Sequence, residues 1–181
     1  MKKISLIATL ISAVLLLQNC KKDTVTASTI SSEPMIALIN DTTWIADTVN
    51  ATMTYTAATK TKTLSCSGIS NNKKINFYIT QNSASSTPGF GIDTYTADGK
   101  SDTLSYEYPQ KNSMGNLVLM PQGVVSPGSG SVSVTTVDSV KKVISGTFYF
   151  NSIKSNTDGS ITIAAVLQGG FNNVPYTFIT Q

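Results

Sequence analysis

The chain has 181 residues and a formal charge of +3; 40% of its residues are hydrophobic, 13% are charged, and all 13 basic residues are lysine. Without arginine no side chain can clamp a phosphate bidentately or read a guanine edge, and so small a charge gives no basic face for nucleic acid. Histidine is absent as well, which removes Ser-His-Asp and Cys-His catalysis, the commonest general base and the commonest metal ligand.

Lys2 and Lys3 precede an unbroken, largely apolar run from Ile4 to Leu17, and Cys20 follows three residues later. As a helix the run would span about 21 Å, short of a hydrocarbon core of roughly 30 Å. It has the form of a secretory h-region behind a basic n-region. A signal ending in cysteine resembles that of a bacterial lipoprotein, which implies removal of residues 1–19 and lipid on the Cys20 sulfur. Leu17 suits the third position before the cysteine, whereas Asn19 stands where a small residue is commoner. The expectation is an exported, outer-membrane lipoprotein, facing the periplasm or the cell surface, with the membrane as its first partner. The mature chain would keep 162 residues with 11 lysines and 10 acids, enough for one domain with a real core.

Residues 20–34 are polar, free of aromatics and closed by Pro34, as in a flexible tether with a reach of about 20 Å. The start Cys20-Lys21-Lys22-Asp23 is similar to that of Bacteroidetes-type lipoproteins, some of which use charged residues after the cysteine as a surface-display signal.

From residue 35 to 181 the apolar period is 2, with Thr and Ser filling most opposing positions, as expected of strands with one wet face. Ala51, Met53 and Tyr55 alternate in this way, as do Ile75, Phe77 and Ile79, and Leu104, Tyr106 and Tyr108. The pattern returns in Val132 and Val134, in Ile144, Phe148 and Phe150, in Ile161, Ile163, Ala165 and Leu167, and in Tyr176 and Phe178. Asn71-Asn72, Thr87-Pro88-Gly89, Ala97-Asp98-Gly99, Val137-Asp138-Ser139 and Thr157-Asp158-Gly159 read as turns, the last two joining strands near 131–137, 141–150 and 160–168. Residues 120–130 read as a loop or a crossing between sheets. About ten short strands make a single antiparallel β-sandwich, with a partly closed barrel as the runner-up.

Thr43-Trp44-Ile45-Ala46 opens the domain, Gly91-Ile92-Asp93-Thr94-Tyr95 lies mid-chain, Ile144-Ser145-Gly146-Thr147-Phe148 forms a late strand, and Gly169-Gly170-Phe171 comes near the end. In this order they resemble an uncharacterised family of small Bacteroidetes-type all-β lipoproteins, with a Trp-x-Ala start and a late Gly-Thr-Phe strand. The resemblance implies fold and anchoring and assigns no catalytic residue.

Candidate chemistry is sparse. With Cys20 committed to lipid, Cys66 has no partner for an intrachain disulfide, and it shares a strand face with Leu64, as a buried thiol would. Most of the ten acids fall in turns, and no pair stands out for glycoside hydrolysis. Asp93, Asp98 and Asp102 fall in one short segment and are the candidate calcium ligands, although their spacing matches no EF-hand loop. Tyr78 and Tyr95 are the candidate ligand-binding aromatics, able to stack on a sugar ring or anchor a protein. No cofactor and no catalysis are expected. The function reads as a lipid-anchored binding or interaction module with a glycan or protein partner. The alternatives are a structural envelope component without a dedicated ligand and a glycan-binding or hydrolytic accessory protein of polysaccharide uptake. Exposed aromatics in a concave row would favour glycan, and a closed barrel with an apolar cavity would favour a small hydrophobic ligand.

Overall fold

The computed structural model describes residues 32–181; Cys20, the signal and most of the tether lie outside the described residues. Eleven strands follow one another: β1 (Met35–Ile39), β2 (Thr42–Ile45), β3 (Thr48–Thr56), β4 (Thr61–Ser70), β5 (Lys73–Gln81), β6 (Thr94–Thr96), β7 (Thr103–Lys111), β8 (Leu117–Pro121), β9 (Gly130–Asp138), β10 (Val143–Ser155) and β11 (Ile161–Thr180). No helix occurs among the described residues.

The strands form one open sheet in the order β6-β9-β10-β11-β3-β4-β5-β7-β8, with β1 on β11 and β2 on β1. It folds over into two layers without closing into a barrel. Strand β11 serves both layers: residues 161–175 pair with β10, and residues 176–180 pair with β3. The layers meet across the core, where the Phe77 ring of β5 lies 5.9 Å from Phe148 of β10 and 5.1 Å from Phe171 of β11. Every pairing is antiparallel except that of β11 with β3, which is parallel. The antiparallel β-sandwich expected from the sequence is thus met in every ladder but this one. The partner changes at Pro175, which has no N–H to give a ladder, and Tyr176 then enters beside Ala51 running in the same direction.

Period-2 alternation places the core. Met53, Leu64, Ile75, Phe77 and Ile79 of one layer face Val132, Ile144, Phe148 and Phe150 of the other, and all are buried. Two hairpins close with two-residue turns, Asn40-Asp41 and Asn71-Asn72, and all four residues have positive φ. Asn and Asp tolerate that left-handed backbone, and its twist matches the flanking strands. Residues 122–129 carry the chain from the β7–β8 layer to the β9–β10 layer, bridged midway by Val124 and Ile153.

Strand β11 reverses one sequence expectation. Ala164 and Val166 are buried, whereas Ile161 and Ile163 are 65% and 54% exposed and Leu167 also faces out. The apolar alternation there marks the wet face, opposite Ile153 of β10. Left-handed backbone at Gln168 and Asn173 shifts the phase twice, so the inward positions run 164, 166, 169, 171, 174 and 176. Alternation read on through 161–178 cannot register these shifts.

Candidate ligand groove

The outer face of the β9-β10-β11-β1-β2 layer is hollowed into a groove of about 760 Å³, partly open to solvent. Its floor is the paired stretches Gly146–Phe148 of β10 and Gly169–Phe171 of β11. One wall is Ile36 and Leu38 of β1; the other carries hydroxyls of β9 and β10 and the Tyr149 ring, and Glu33 lies at the end where the described chain begins. Register shifts cluster here, at Ile36/Leu38, Ser145/Gly146, Ile144/Gly146 and Phe148/Phe150. Each bulge adds twist and bends its strand, and together they curl an outer face that would otherwise be flat or convex.

Glycines shape the floor from both sides. A Cβ on Gly146 would stand 2.4 Å from Phe171 Cζ and 2.2 Å from the Ser133 carbonyl oxygen. A Cβ on Gly169 would stand 2.4 Å from Phe148 Cδ2. Each strand thus leaves a gap that the other strand's phenylalanine fills, and both rings then pack on Phe77. Gly170 differs. It pairs with outward-facing Thr147, and its nearest obstacles are Ile36 Cγ2 at 3.8 Å and the Gly146 carbonyl oxygen at 4.0 Å, so its missing side chain is open groove. The opening Trp-x-Ala strand packs by the same logic: Trp44 and Ala46, with Met35, occupy the space a side chain on Gly68 would need.

The lining is nearly without charge. Among the described residues that line it there is no lysine, and Glu33 is the one carboxylate. Several hydroxyls already have protein partners. Ser133 and Thr94 share a hydrogen bond of 2.8 Å, Ser145 Oγ accepts the Asn173 N–H at 2.9 Å, and Thr135 donates to the Ser145 carbonyl at 3.3 Å. What remains is mainly methyl, methylene and ring surface.

The residues nominated from sequence are placed elsewhere. Tyr78 is 40% exposed on β5, outside the groove. Tyr95 packs on Phe90 at 5.4 Å and donates to the Gly91 carbonyl at 3.1 Å, pinning the loop 82–93. Burial, reinforced by the Asp93 and Asp102 carboxylates, pushes its phenol up to about 12. The three candidate calcium ligands each accept backbone N–H groups: Asp93 from Thr94, Asp98 from Lys100 and Asp102, and Asp102 from Thr80. Among the described residues no three acids, cysteines or histidines are grouped to hold a metal ion. Cys66 is buried, and desolvation pushes its thiol up to about 12.

Lys62 was not nominated, although period 2 already puts it on the inner face with Leu64 and Cys66. It is 2% exposed, its Nζ donates to the Gly89 carbonyl, and it lies 6.0 Å from the Phe178 ring centroid. Burial lowers its pKa from the usual 10.5. The Tyr176 hydroxyl donates to the neighbouring Pro88 carbonyl, so two core side chains hold the 82–93 loop over the end of the sandwich. The groove itself left no sequence signal beyond Gly169-Gly170.

The chain belongs to the family described as Domain of unknown function (DUF6252), whose family model matches residues 32–175. No curated protein and no solved structure matches it.

Proposed function

We propose that the protein is an exported lipoprotein, held at the outer membrane through Cys20, whose β-sandwich acts as a non-catalytic binding module for an uncharged ligand. The observation that carries this is the groove of about 760 Å³, a volume typical of small-ligand sites, opening beside the residues through which the chain enters the domain. The tether brings the domain to a membrane surface and the groove gives it something to hold there. The lining favours a binding role because it concentrates hydrocarbon and neutral hydroxyl groups and brings no pair of acids together. Of the acidic side chains nominated for metal binding, Asp98 caps the turn over Lys100–Asp102 and Asp102 ties that turn to β5 through the Thr80 N–H.

Two measurements test the two halves. Metabolic acyl labelling and membrane fractionation should place lipid on the wild-type chain, whereas Cys20→Ser should accumulate larger and unlabelled. Equal processing and labelling of the serine variant would end the lipoprotein reading. A thermal-shift panel of uncharged compounds should find ligands that raise the melting temperature of the parent chain but not of Gly170→Leu, which fills the groove. A panel whose hits stabilise both proteins equally would move the binding site elsewhere.

A further inference from the structure

The geometry points to a hydrocarbon occupant: we propose that the groove receives an acyl chain of a membrane phospholipid. The inference rests on the binding-module reading above and names its ligand. Three observations select it. First, no cation stands among the described residues that line the groove, so nothing there pairs with a carboxylate, phosphate or sulfate on the part of the ligand that enters. Second, a saccharide would need donors and acceptors at close spacing on every side, yet the Ile36 and Leu38 wall and the Gly170 floor offer no polar side chain, and three of the lining hydroxyls, those of Ser133, Thr135 and Ser145, are engaged with the protein's own groups. Burying sugar hydroxyls against Ile36, Leu38 and a bare glycine floor would leave them unpaired, and that costs more than apolar contact returns. A methylene chain carries no such cost, and each methylene buried is worth roughly fourfold in affinity.

Third, the location fits the supply. The described chain starts at Ser32 and Glu33 lines the groove, so only 11 residues, 21–31, separate Cys20 from the described domain. Even fully extended they reach no further than about 40 Å, and as a flexible coil about half that. A domain tethered so closely keeps this groove within reach of the lipid surface that its anchor enters. Gly170 is what makes the cleft deep enough for a chain to lie down. It has ordinary rather than left-handed backbone, and almost nothing blocks a side chain there, so its bareness is not required by the fold. Tyr149, 51% exposed, offers a ring face along the opposite wall.

The test uses the full lipidated protein in phosphatidylethanolamine vesicles containing a phosphatidylcholine with a diazirine near the middle of one acyl chain. After illumination, peptide mass spectrometry should find adducts concentrated on Ile36, Leu38, Tyr149 and Thr147. Gly170→Leu and Thr147→Lys, the second an exposed position that can take a charge without disturbing the core, should each lower those adducts at least tenfold. Tyr78→Ala should leave them unchanged. Vesicle flotation, scored in parallel, reports anchoring independently. Adducts confined to residues 20–34, or spread over the exposed strand β8, would overturn the acyl proposal, as would equal labelling of the parent and both groove variants. If instead an uncharged compound that is not a lipid stabilises the parent chain in a Gly170-dependent way while groove adducts are absent, the acyl inference falls and the binding-module reading stands.

Discussion

The three glycines on the paired stretches of β10 and β11 give the most direct test of the fold beneath the groove. At Gly169 an added methyl would sit 2.4 Å from two atoms of the Phe148 ring and 2.6 Å from its carbonyl oxygen, about 1 Å inside the 3.4 Å at which ordinary contact begins. The ring cannot simply swing away, because Phe148 is buried and packed on Phe77. Overpacking of this kind costs about 1–3 kcal/mol, from which the lower chain entropy of alanine in the unfolded state returns roughly 0.4–1 kcal/mol. Gly170→Ala meets nothing closer than 3.8 Å and keeps the second contribution without the first. Gly169→Ala should therefore be destabilising by about 1–2 kcal/mol and Gly170→Ala neutral to slightly stabilising. The buried Trp44, the sole tryptophan, reports urea unfolding of both. The double variant Gly169→Ala/Phe148→Leu should be less damaged than the sum of its parts by about 1 kcal/mol, because the smaller side chain vacates the contested space. Equal losses at 169 and 170, or strict additivity in the double variant, would refute the assignment of inward and outward positions on which the groove depends.

Three further expectations follow from single side chains. Tyr95→Phe removes the hydrogen bond to the Gly91 carbonyl and should cost about 1 kcal/mol, with faster proteolysis or hydrogen exchange confined to residues 82–93. The folded Cys66 thiol titrates at about 12 against 9.0 when exposed, so above pH 9 the folded state holds a proton that the unfolded state has lost. Stability should fall with rising pH there by up to about 1.4 kcal/mol per unit, and a parent-minus-Cys66→Ala difference that stays flat from pH 9 to 11 would contradict the burial. Lys62 works in the opposite sense: its lowered pKa means that the unfolded state binds the extra proton, so its contribution rises with pH between its folded value and 10.5. The chain has no histidine, so chemical denaturation between pH 6 and 8 should be nearly flat, and a change above about 1 kcal/mol would contradict this.

Where one face of a strand is dry and its partner is a neighbour in sequence, alternation alone was enough to read the structure. Strands β3, β4 and β5 form a meander whose inward residues, from Ala51 to Ile79, follow period 2 without interruption. Asn71-Asn72 carries its own turn geometry, because two adjacent asparagines tolerate the left-handed backbone that a two-residue hairpin demands. The parallel pairing of β11 with β3 is a different matter. It joins segments about 125 positions apart, and nothing local in Tyr176–Thr180 prefers a parallel to an antiparallel neighbour. Lys62 was hidden by a prior rather than by missing information. Its face was given by Leu64 and Cys66, but a lysine on a core face is rare enough that alternation is usually trusted to end before it.

The groove was illegible for a deeper reason. It is made by departures from period 2, not by any residue type that advertises chemistry. Gln168 and Asn173 take left-handed backbone inside a strand, where neither is marked by sequence as a bulge in the way a glycine would be. The glycines that do stand out are of two kinds that look alike as letters. Gly146 and Gly169 are bare because a phenylalanine from the neighbouring strand fills their place, whereas Gly170 is bare with its place left empty. Only the register of β10 against β11 separates them: Gly146 meets Phe171, Phe148 meets Gly169, and Thr147 meets Gly170. Reciprocal filling accounts for the first two as packing, since replacing either forces a buried ring or backbone to move. It gives no reason for the third, whose replacement by a larger residue would cover apolar wall and cost the fold little. A position that the fold would tolerate filled, bare on the floor of a largely apolar cleft, is what the proposed occupant requires and the strands do not.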